Sequence, residues 1–300
     1  MKKKLIFLGD LDSINLEIIQ KSHSILKNEV QYILFGNINE ISKYFYKLKT
    51  NLRINEIYDP INFFNYKKNS INIFNIHNVS KNKVENLINQ IRITNKLANN
   101  LGLDLITMPI NKSLFKKKIS FNGMTEYLAK INSTKTKMLM YGEKFAIVPV
   151  TTHINLNNIK KSVDKTFLRN FLKDLLNQIN RNLYDLNFKQ IKFLCYNPHC
   201  SEANSLGDED KIISQTISNF KKISGPFAAD SAFKKIDRNN LFISMYHDQA
   251  LIPFKILNKK GFNLTLGLKY RRLSPSHGTA NDIKFKNLAD ITSYIACMKF

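Results

Sequence analysis

The sequence has few glycines and no long apolar run, and each shortage excludes a class of protein. Its 300 residues contain ten glycines, none of which form a GxG pair. The Gly-rich dinucleotide fingerprint and the phosphate-binding P-loop both need closely spaced glycines, so neither motif is present. The GxSxG and HExxH motifs are also missing. No apolar run approaches the roughly 18 residues that a membrane-spanning helix needs, so we expect no membrane association.

Cysteine is scarce as well. Cys195, Cys200 and Cys297 are odd in number and lack CxxC spacing, which argues against both a disulfide framework and a thiolate metal cage. The first residues are basic, but the apolar run that follows them has only four residues. A secretory signal needs about 7–15, so we predict a buried first strand and a cytoplasmic protein.

Acidic residues are outnumbered, since 46 Lys and Arg face 23 Asp and Glu and give a net charge of +23. Such an excess raises the question of nucleic-acid binding. The lysines are spread along the chain, and no RNP-like or zinc-finger motif accompanies them. Lys, Asn and Ile are abundant together, which indicates a compositional bias. We therefore predict no nucleic-acid partner, although the positive field would steer an anionic small substrate. Lysine pairs and triplets occur at 2–4, 116–118, 160–161, 221–222, 234–235 and 259–260.

Apolar runs of strand length alternate with amphipathic segments of helix length, which predicts an α/β fold with a mainly parallel sheet. The segment 262–273 (FNLTLGLKYRRL) alternates apolar with polar or small residues and predicts an antiparallel edge strand. The other predicted strands are 4–8, 31–36, 72–75, 103–108, 145–151, 191–196 and 241–246. The predicted helices lie near 14–27, 39–48, 82–100, 162–182 and 208–222.

Three of the six histidines follow the last apolar residues of three predicted strands. They are His153, His199 and His247. Ligands of open α/β sheets bind beyond the carboxyl ends of the strands, so three imidazoles there could hold one divalent metal and leave a position for substrate. Alternatively, each imidazole caps a strand end with a hydrogen bond. Asp248 and Gln249 are the candidates to orient His247.

Basic and polar residues near other strand ends are candidates for binding an anionic group. Thr125 opens a predicted helix whose backbone N–H groups could bind an anion. Asp230, in AADSAF, is a further candidate site residue or a helix N-cap. His277 and Gly278 precede the last helix, in a turn that could bind a nucleotide or serve as an ordinary cap. The basic candidates, which alternatively form a solvated edge, are Lys255, Lys269, Arg271 and Arg272.

Eight motifs in this order resemble those of the 4-hydroxythreonine-4-phosphate dehydrogenase family of pyridoxal-phosphate biosynthesis. The resemblance covers about residues 100–280, and the first hundred residues agree with the family only in the order of strands and helices. The motifs are TMPINK (107–112), FNGMTEYLA (121–129), VTTH (150–153), YNPHCSE (196–202), GPFAAD (225–230), MYHDQAL (245–251), FNLTLGL (262–268) and HGTA (277–280).

The resemblance implies a fold similar to the isocitrate and isopropylmalate dehydrogenases, with two α/β/α domains and a homodimer. We predict the first domain at 1–125 plus 278–300. The second, at 126–277, would carry the metal ligands and the dimer contacts. The implied reaction is NAD- or NADP-dependent oxidation of 4-phosphohydroxy-L-threonine at its C3 hydroxyl, followed by loss of CO2 to give 3-amino-2-oxopropyl phosphate.

The resemblance also assigns site residues. His153, His199 and His247 would hold one divalent metal, either Zn, Mg, Mn or Co. The reaction needs a base for the hydroxyl proton, and our own candidates are Lys255 and Asp230. We expect His277 and Gly278 to contact the cofactor. The implied substrate contacts are Met124, Thr125, Lys255, Asn263 and Arg272.

The chain departs from the family pattern at several positions. Met124 stands where the family has a histidine, and a thioether cannot donate a hydrogen bond to phosphate. Glycines of the family are replaced in GDLDSINLE (9–17), at Met108 and in KFKN (284–287). Two alternative functions therefore remain open: a dehydrogenase of the same fold acting on another phosphorylated hydroxy acid, and a degenerate homologue without turnover.

Overall fold

A computed structural model describes residues 1–115 and 123–300. Contacts between Cα atoms divide the chain into unit 1, formed by Met1–Thr134 and Leu268–Phe300, and unit 2, formed by Lys135–Gly267. The predicted division placed the boundaries after residues 125 and 277. The lysine triplet at 116–118 and the first two residues of the FNGMTEYLA motif lie outside the described part of the chain.

Strands and helices alternate along most of the chain. The strands are β1 (Lys2–Phe7), β2 (Val30–Gly36), β3 (Arg53–Ile57), β4 (Ser70–Asn75), β5 (Asp104–Thr107), β6 (Lys137–Tyr141), β7 (Ala146–Pro149), β8 (Gln190–Leu194), β9 (Ile223–Phe227), β10 (Asn240–Ser244), β11 (Phe262–Leu266) and β12 (Arg272–Pro275). The α-helices are α1 (Asn15–Leu26), α2 (Ile38–Lys47), α3 (Lys83–Leu101), α4 (Met124–Ile131), α5 (Lys165–Ile179), α6 (Glu209–Ile217), α7 (Ala229–Ala232), α8 (His247–Leu257) and α9 (Thr292–Lys299).

Unit 1 is built on a parallel sheet in which the strands follow the order β3-β4-β2-β1-β5-β12. Leu5, Ile33 and Leu105 on its three central strands are completely buried. β2 is apolar over YILF and β1 ends in LIF, as expected for parallel strands covered on both faces, whereas β1 begins with three lysines and β5 begins with Asp104. Their carboxyl ends form one rim of the unit.

Unit 2 contains a mixed sheet in the order β11-β6-β7-β10-β8-β9. The β11–β6 and β6–β7 pairs are antiparallel, whereas β7, β10, β8 and β9 run parallel to one another. The predicted α/β class, with a mainly parallel sheet and an antiparallel strand, is confirmed.

The antiparallel strand predicted at 262–273 ends earlier than expected, at Leu266. Gly267 has a φ of +104°, and a Cβ at this position would collide with the carbonyl of Lys135. Only glycine adopts such a conformation without strain, so the strand ends here. A separate strand, β12, begins at Arg272 and pairs with β5 in parallel.

Several elements were not predicted because their sequences give weak signals. β3 carries Arg53 and Glu56 among its five residues. β9 contains a Gly-Pro pair, which is tolerated because the strand lies at the end of the order. Helix α8 follows β10 after only two residues and includes Pro253. In the described part of the chain, no helix combines the length and the apolar character required to cross a bilayer.

A buried ion cluster connects three strands of unit 1. The Asp104 carboxylate accepts from Lys4 Nζ at 2.8 Å and from Arg271 Nε and Nη2 at 2.7 and 2.8 Å. Lys4 is fully buried, and its ammonium also donates to the carbonyl of Cys297 at 3.2 Å. Burial lowers the pKa of Lys4, and Asp104 opposes this shift. The cluster therefore fixes β1, β5 and the start of β12 relative to one another.

A left-handed turn follows β8 in unit 2. Its six consecutive residues, 199–204, all have positive φ, and none of them is glycine. Asp210 at the start of α6 stabilises this conformation, since its carboxylate accepts from the backbone N–H groups of Tyr196 and Asn197 at 2.6 and 3.1 Å. The hydroxyl of Ser201, inside the turn, donates to the same carboxylate at 2.7 Å. Interactions with this one buried side chain offset the cost of the left-handed conformation.

Replacing Asp104 should destabilise unit 1, because Lys4 would remain buried without its counter-ion. We expect Asp104→Ala to lower the free energy of unfolding by about 3–5 kcal/mol, measured by urea denaturation. Glu29→Ala is the matched control, since Glu29 forms an exposed pair with Lys299 and its loss should cost less than about 1 kcal/mol. Equal effects of the two substitutions would contradict a structural role for the cluster.

Glycine in the left-handed turn should relieve backbone strain. Ala203 is exposed, with a φ of 56°, so Ala203→Gly should raise the free energy of unfolding by about 0.5–1 kcal/mol. The same substitution in a right-handed helix, Ala129→Gly in α4, should lower it by about 1 kcal/mol. Urea denaturation of both variants checks the opposite signs, and a destabilised Ala203→Gly would refute the strain.

Candidate functional site

Two of the three predicted metal ligands lie side by side in unit 2. His153 follows β7, and His247 is the first residue of α8, just after β10. β7 and β10 are parallel neighbours, so both histidines emerge at the same rim. Their ring centroids are 5.8 Å apart, and the ring planes are inclined by 40°. Two partly or fully exposed imidazoles at this separation are suited to two positions around one divalent metal.

Asp248 makes the predicted contact with His247. Its Oδ1 lies 2.6 Å from His247 Nδ1, and a hydrogen bond there directs Nε2 away from the carboxylate. Gln249 has a different role. It accepts from the backbone N–H of Met245 and donates to the carbonyl of Cys195, both at 2.8 Å. Gln249 therefore ties the ends of β10 and β8 together, and contributes to the rim without touching the imidazole.

His199 is placed differently from the other two histidines. It is the first residue of the left-handed turn, its side chain is 65% exposed, and its Nδ1 lies 3.1 Å from Glu202 Oε1. Across residues 1–115 and 123–300, no three His, Cys, Asp or Glu side chains are grouped so as to hold a metal. The structure thus brings His153 and His247 together and leaves His199 outside their group.

The remaining predicted residues of unit 2 include two candidate proton acceptors. Asp230 is exposed in the first turn of α7, where Ala228 occupies the N-cap position, so Asp230 is not the N-cap. Lys255 is exposed in the last turn of α8, the helix that begins with His247. Asn263 lies on β11, and its buried Oδ1 has no hydrogen-bond partner among the described residues. This oxygen is available to accept a hydrogen bond from a ligand.

In unit 1, Arg272 is a buried cation next to two threonines. Its Nε donates to Thr107 Oγ1 at 2.8 Å and its Nη1 to Thr125 Oγ1 at 3.2 Å. Burial lowers the pKa of Arg272 to about 10, so the side chain remains positively charged at neutral pH. Met124 precedes Thr125 at the start of α4 and packs against the core of the unit. The arrangement presents fixed positive charge and a hydroxyl, which suit an anionic group.

The basic residues near Arg272 have separate roles. The Arg271 guanidinium is held by Asp104, so it stabilises the fold. Lys269 is exposed. Thr107 was not singled out from the sequence, although it lies in the TMPINK motif at the end of β5. Strand pairing could have identified Thr107, because β12, which carries Arg272, pairs with β5 and brings the two residues close together.

His277 and Gly278 lie in a loop of unit 1. His277 Nδ1 lies 2.8 Å from the Gly278 carbonyl, so this nitrogen carries the proton. His277 Nε2 is buried and has no partner in the described structure. Burial lowers the pKa of His277, which favours the neutral ring with Nε2 as an acceptor. A ligand hydroxyl group could satisfy this nitrogen.

Comparisons with known proteins agree with these observations. The family model described as pyridoxal phosphate biosynthetic protein PdxA matches residues 22–300. The 4-hydroxythreonine-4-phosphate dehydrogenase of Aquifex aeolicus (strain VF5) is 34% identical over 322 residues, covering 100% of this chain and 97% of that protein. The Hydrogenobaculum sp. (strain Y04AAS1) protein of the same name is 42% identical over 193 residues, covering 63% of this chain and 61% of that protein.

A solved structure supports the fold. The crystal structure of the Klebsiella pneumoniae 4-hydroxythreonine-4-phosphate dehydrogenase superposes with a TM-score of 0.81 at 23% identity, covering 100% of this chain and 98% of that one. Together with the family match, it confirms the resemblance inferred from the eight motifs. The chain therefore belongs to the 4-hydroxythreonine-4-phosphate dehydrogenase family of pyridoxal-phosphate biosynthesis.

Proposed function

We propose that the protein oxidises 4-phosphohydroxy-L-threonine at its C3 hydroxyl with NAD or NADP and releases CO2, giving 3-amino-2-oxopropyl phosphate. The observation that carries this proposal is the pair of imidazoles at one sheet rim, His153 and His247, whose ring centroids are 5.8 Å apart. Asp248 orients the second of them, His247. The chain belongs to the dehydrogenase family, and both histidines lie in motifs for which the resemblance to that family implies metal binding. We further propose that the protein acts as a homodimer.

The donor set suits a divalent metal. His153 and His247 would supply two imidazole nitrogens, and His199 would supply the third once it reaches the same ion. A bound metal would polarise the substrate oxygens and nicotinamide would accept a hydride. Three imidazoles accept Zn, Mg, Mn or Co to different degrees, so the donor set alone does not select one of them.

The chain's own residues would bind and orient the substrate. Arg272 and Thr125 offer a cation and a hydroxyl to an anionic group, in keeping with the phosphate. The buried Oδ1 of Asn263 lacks a partner in the described structure, so it could accept from the substrate's ammonium or hydroxyl group. Lys255 or Asp230 would take up the proton of the C3 hydroxyl. His277 Nε2 would accept a hydrogen bond from the cofactor.

A second candidate function follows from Met124. Its thioether lies beside Thr125 and cannot donate a hydrogen bond to phosphate, so the anion pocket differs from the family pattern. An enzyme of the same fold acting on another phosphorylated hydroxy acid would be consistent with this change. The degenerate homologue is the third alternative, because His199 lies outside the group formed by His153 and His247.

Turnover and metal binding should both depend on the imidazoles. With 4-phosphohydroxy-L-threonine, NAD or NADP and divalent metal, the chain should produce reduced nicotinamide, and His153→Ala, His199→Ala or His247→Ala should lower kcat/KM by roughly 100-fold or more. The same variants should bind metal more weakly in calorimetry. His77→Ala, which changes an exposed histidine of unit 1, should leave both quantities unchanged.

The outcomes of this assay separate the three functions. Metal binding without turnover on any phosphorylated hydroxy acid would support the degenerate homologue. Turnover only on a different phosphorylated hydroxy acid would support the second function. If the wild-type chain is active but none of the three histidine substitutions affects it, the metal assignment is wrong.

Met124→His should strengthen substrate binding, because an imidazole can donate a hydrogen bond to the phosphate. We expect KM for 4-phosphohydroxy-L-threonine to fall by about 10-fold with little change in kcat, measured by steady-state kinetics. Met124→Leu retains the size of the side chain and adds no donor, so its KM should stay near the wild-type value. An unchanged KM in Met124→His would mean that residue 124 does not contact the phosphate.

A further inference from the structure

The acidic side chain of Glu209 bridges two segments of unit 2 that carry predicted metal ligands. Glu209 is the first residue of α6 and is buried. Its Oε1 accepts from Lys160 Nζ at 2.6 Å, and its Oε2 accepts from Asn197 Nδ2 at 2.9 Å. Lys160 belongs to the connection between β7 and α5, which also contains His153. Asn197 lies two residues before His199, just ahead of the left-handed turn.

The contact with Asn197 continues into the turn. The side-chain amide of Asn197 also donates to Ser201 Oγ at 3.0 Å, and the Ser201 hydroxyl donates to the carboxylate of Asp210. Ser201 is fully buried, and a buried network whose members are paired in this way is rigid. Glu209 and Asp210 thus hold the turn at two linked points, and Glu209 also reaches the connection that follows β7.

Gly207 makes room for the Glu209 carboxylate. Its φ is +129°, a value that favours glycine, and a Cβ at this position would collide with Glu209 Oε2. The hydrogen bond from Lys160 holds the pKa of Glu209 below its ordinary value, although burial opposes this shift. The carboxylate is therefore ionised at neutral pH, and its hydrogen bonds are of the strong, charge-assisted kind.

The imidazole of His199 depends on the backbone of the turn for its position. The side chain is exposed, and its Nδ1 contact is with Glu202, which belongs to the same turn. Such a contact moves with the turn and does not fix the ring relative to the sheet. The residues that fix the turn therefore also position His199. A ligand that must first be ordered binds metal less tightly, since ordering costs conformational entropy.

We propose that Glu209 is a positioning residue for His199. Its carboxylate locks the turn to the connection between β7 and α5, through Asn197 on one side and Lys160 on the other. The imidazole of His199 is thereby held in place before metal binds. This inference rests on the proposed function in one respect, because it takes His199 to be a metal ligand. Glu209 acts through the turn and contributes no ligand atom of its own.

Calorimetric titration of the full-length chain with Zn²⁺ tests the proposal. A glutamine has one oxygen and cannot accept from both Lys160 and Asn197, so Glu209→Gln should weaken Zn²⁺ binding by roughly 10-fold or more. Lys160→Met should also weaken it, because the turn loses the same link. If Glu209 acted by its charge alone, Lys160 would repel the cation, and Lys160→Met would strengthen binding. That result would overturn the proposal.

The matched control is Asp174→Asn. It also removes one negative charge from unit 2, and it breaks the ion pair that Asp174 forms with Lys137 at 3.6 Å. Its effect on Zn²⁺ affinity should be less than about twofold, because solvent and salt screen exposed charges. Equal weakening by Asp174→Asn and Glu209→Gln would contradict a specific role for Glu209.

A double-mutant cycle shows whether the effect passes through His199. Glu209→Gln should weaken Zn²⁺ binding much less in the His199→Ala chain than in the wild type. An undiminished effect in that background would overturn the proposal. A residue that served stability alone would lower the free energy of unfolding and leave the metal affinity of the folded protein unchanged, and this result would overturn it as well.

Amide hydrogen exchange of the metal-free chain keeps this inference separate from the proposed function. Glu209→Gln should speed exchange at the bonded amides of Tyr196, Asn197 and Leu206, and Asp174→Asn should not. Unchanged exchange would overturn the positioning role whatever the metal titration shows. Faster exchange, combined with a His199→Ala chain that binds Zn²⁺ as tightly as the wild type, would reject the metal assignment of His199 and support Glu209 as the residue that fixes its turn.

Discussion

The pairing of Asp104 with Lys4 and Arg271 is the constraint on which the arrangement of unit 1 depends. A buried carboxylate in a sheet is costly unless its partners are fixed. Here Lys4 lies on the neighbouring strand β1, and Arg271 immediately precedes β12. The pairing sets where β12 begins relative to β5. Arg272, the next residue, is thereby placed against Thr107 and Thr125. Of the two adjacent arginines, Arg271 stabilises the fold through Asp104, and Arg272 is the one that we propose as a contact for the substrate's anionic group.

Unit 2 organises its rim with hydrogen bonds from side chains to backbone. Gln249 joins the ends of β10 and β8. The Asp210 carboxylate accepts hydrogen bonds from two backbone N–H groups that follow β8. Both side chains satisfy backbone groups that would otherwise lack partners where the strands end. The imidazoles of His153 and His247 are mounted on this frame.

Much of the fold could be predicted from the sequence, because strands buried on both faces contain apolar runs. β1 ends in LIF and β2 contains YILF, while β3 and β9 have no such run because charged residues, glycine or proline interrupt them. The segment 262–273 shows the limit of alternation as a guide. Its pattern continues past Gly267, but the conformation of that glycine ends the strand. Contacts with Lys135, more than a hundred positions earlier, are not visible in a local pattern.

The candidate site was predictable to a similar extent. Strand order determines that β7 and β10 are neighbours, and the proximity of His153 and His247 follows from it. The rule about strand ends gives the position of the backbone at the rim but not the direction that the chain takes next. After β8 the chain enters the left-handed turn. The sequence gives no signal for it, because the turn contains no glycine. The grouping of His199 with the other two histidines therefore stays a prediction.

The left-handed turn also limits which residue types can occupy its six positions. The composition of the chain is biased toward lysine, asparagine and isoleucine, yet residues 199–204 (HCSEAN) include neither lysine nor isoleucine. β-Branched side chains are strongly disfavoured at positive φ, so isoleucine is excluded from six successive positions. Isoleucine is abundant elsewhere in the chain, and the backbone geometry of this one turn selects against it.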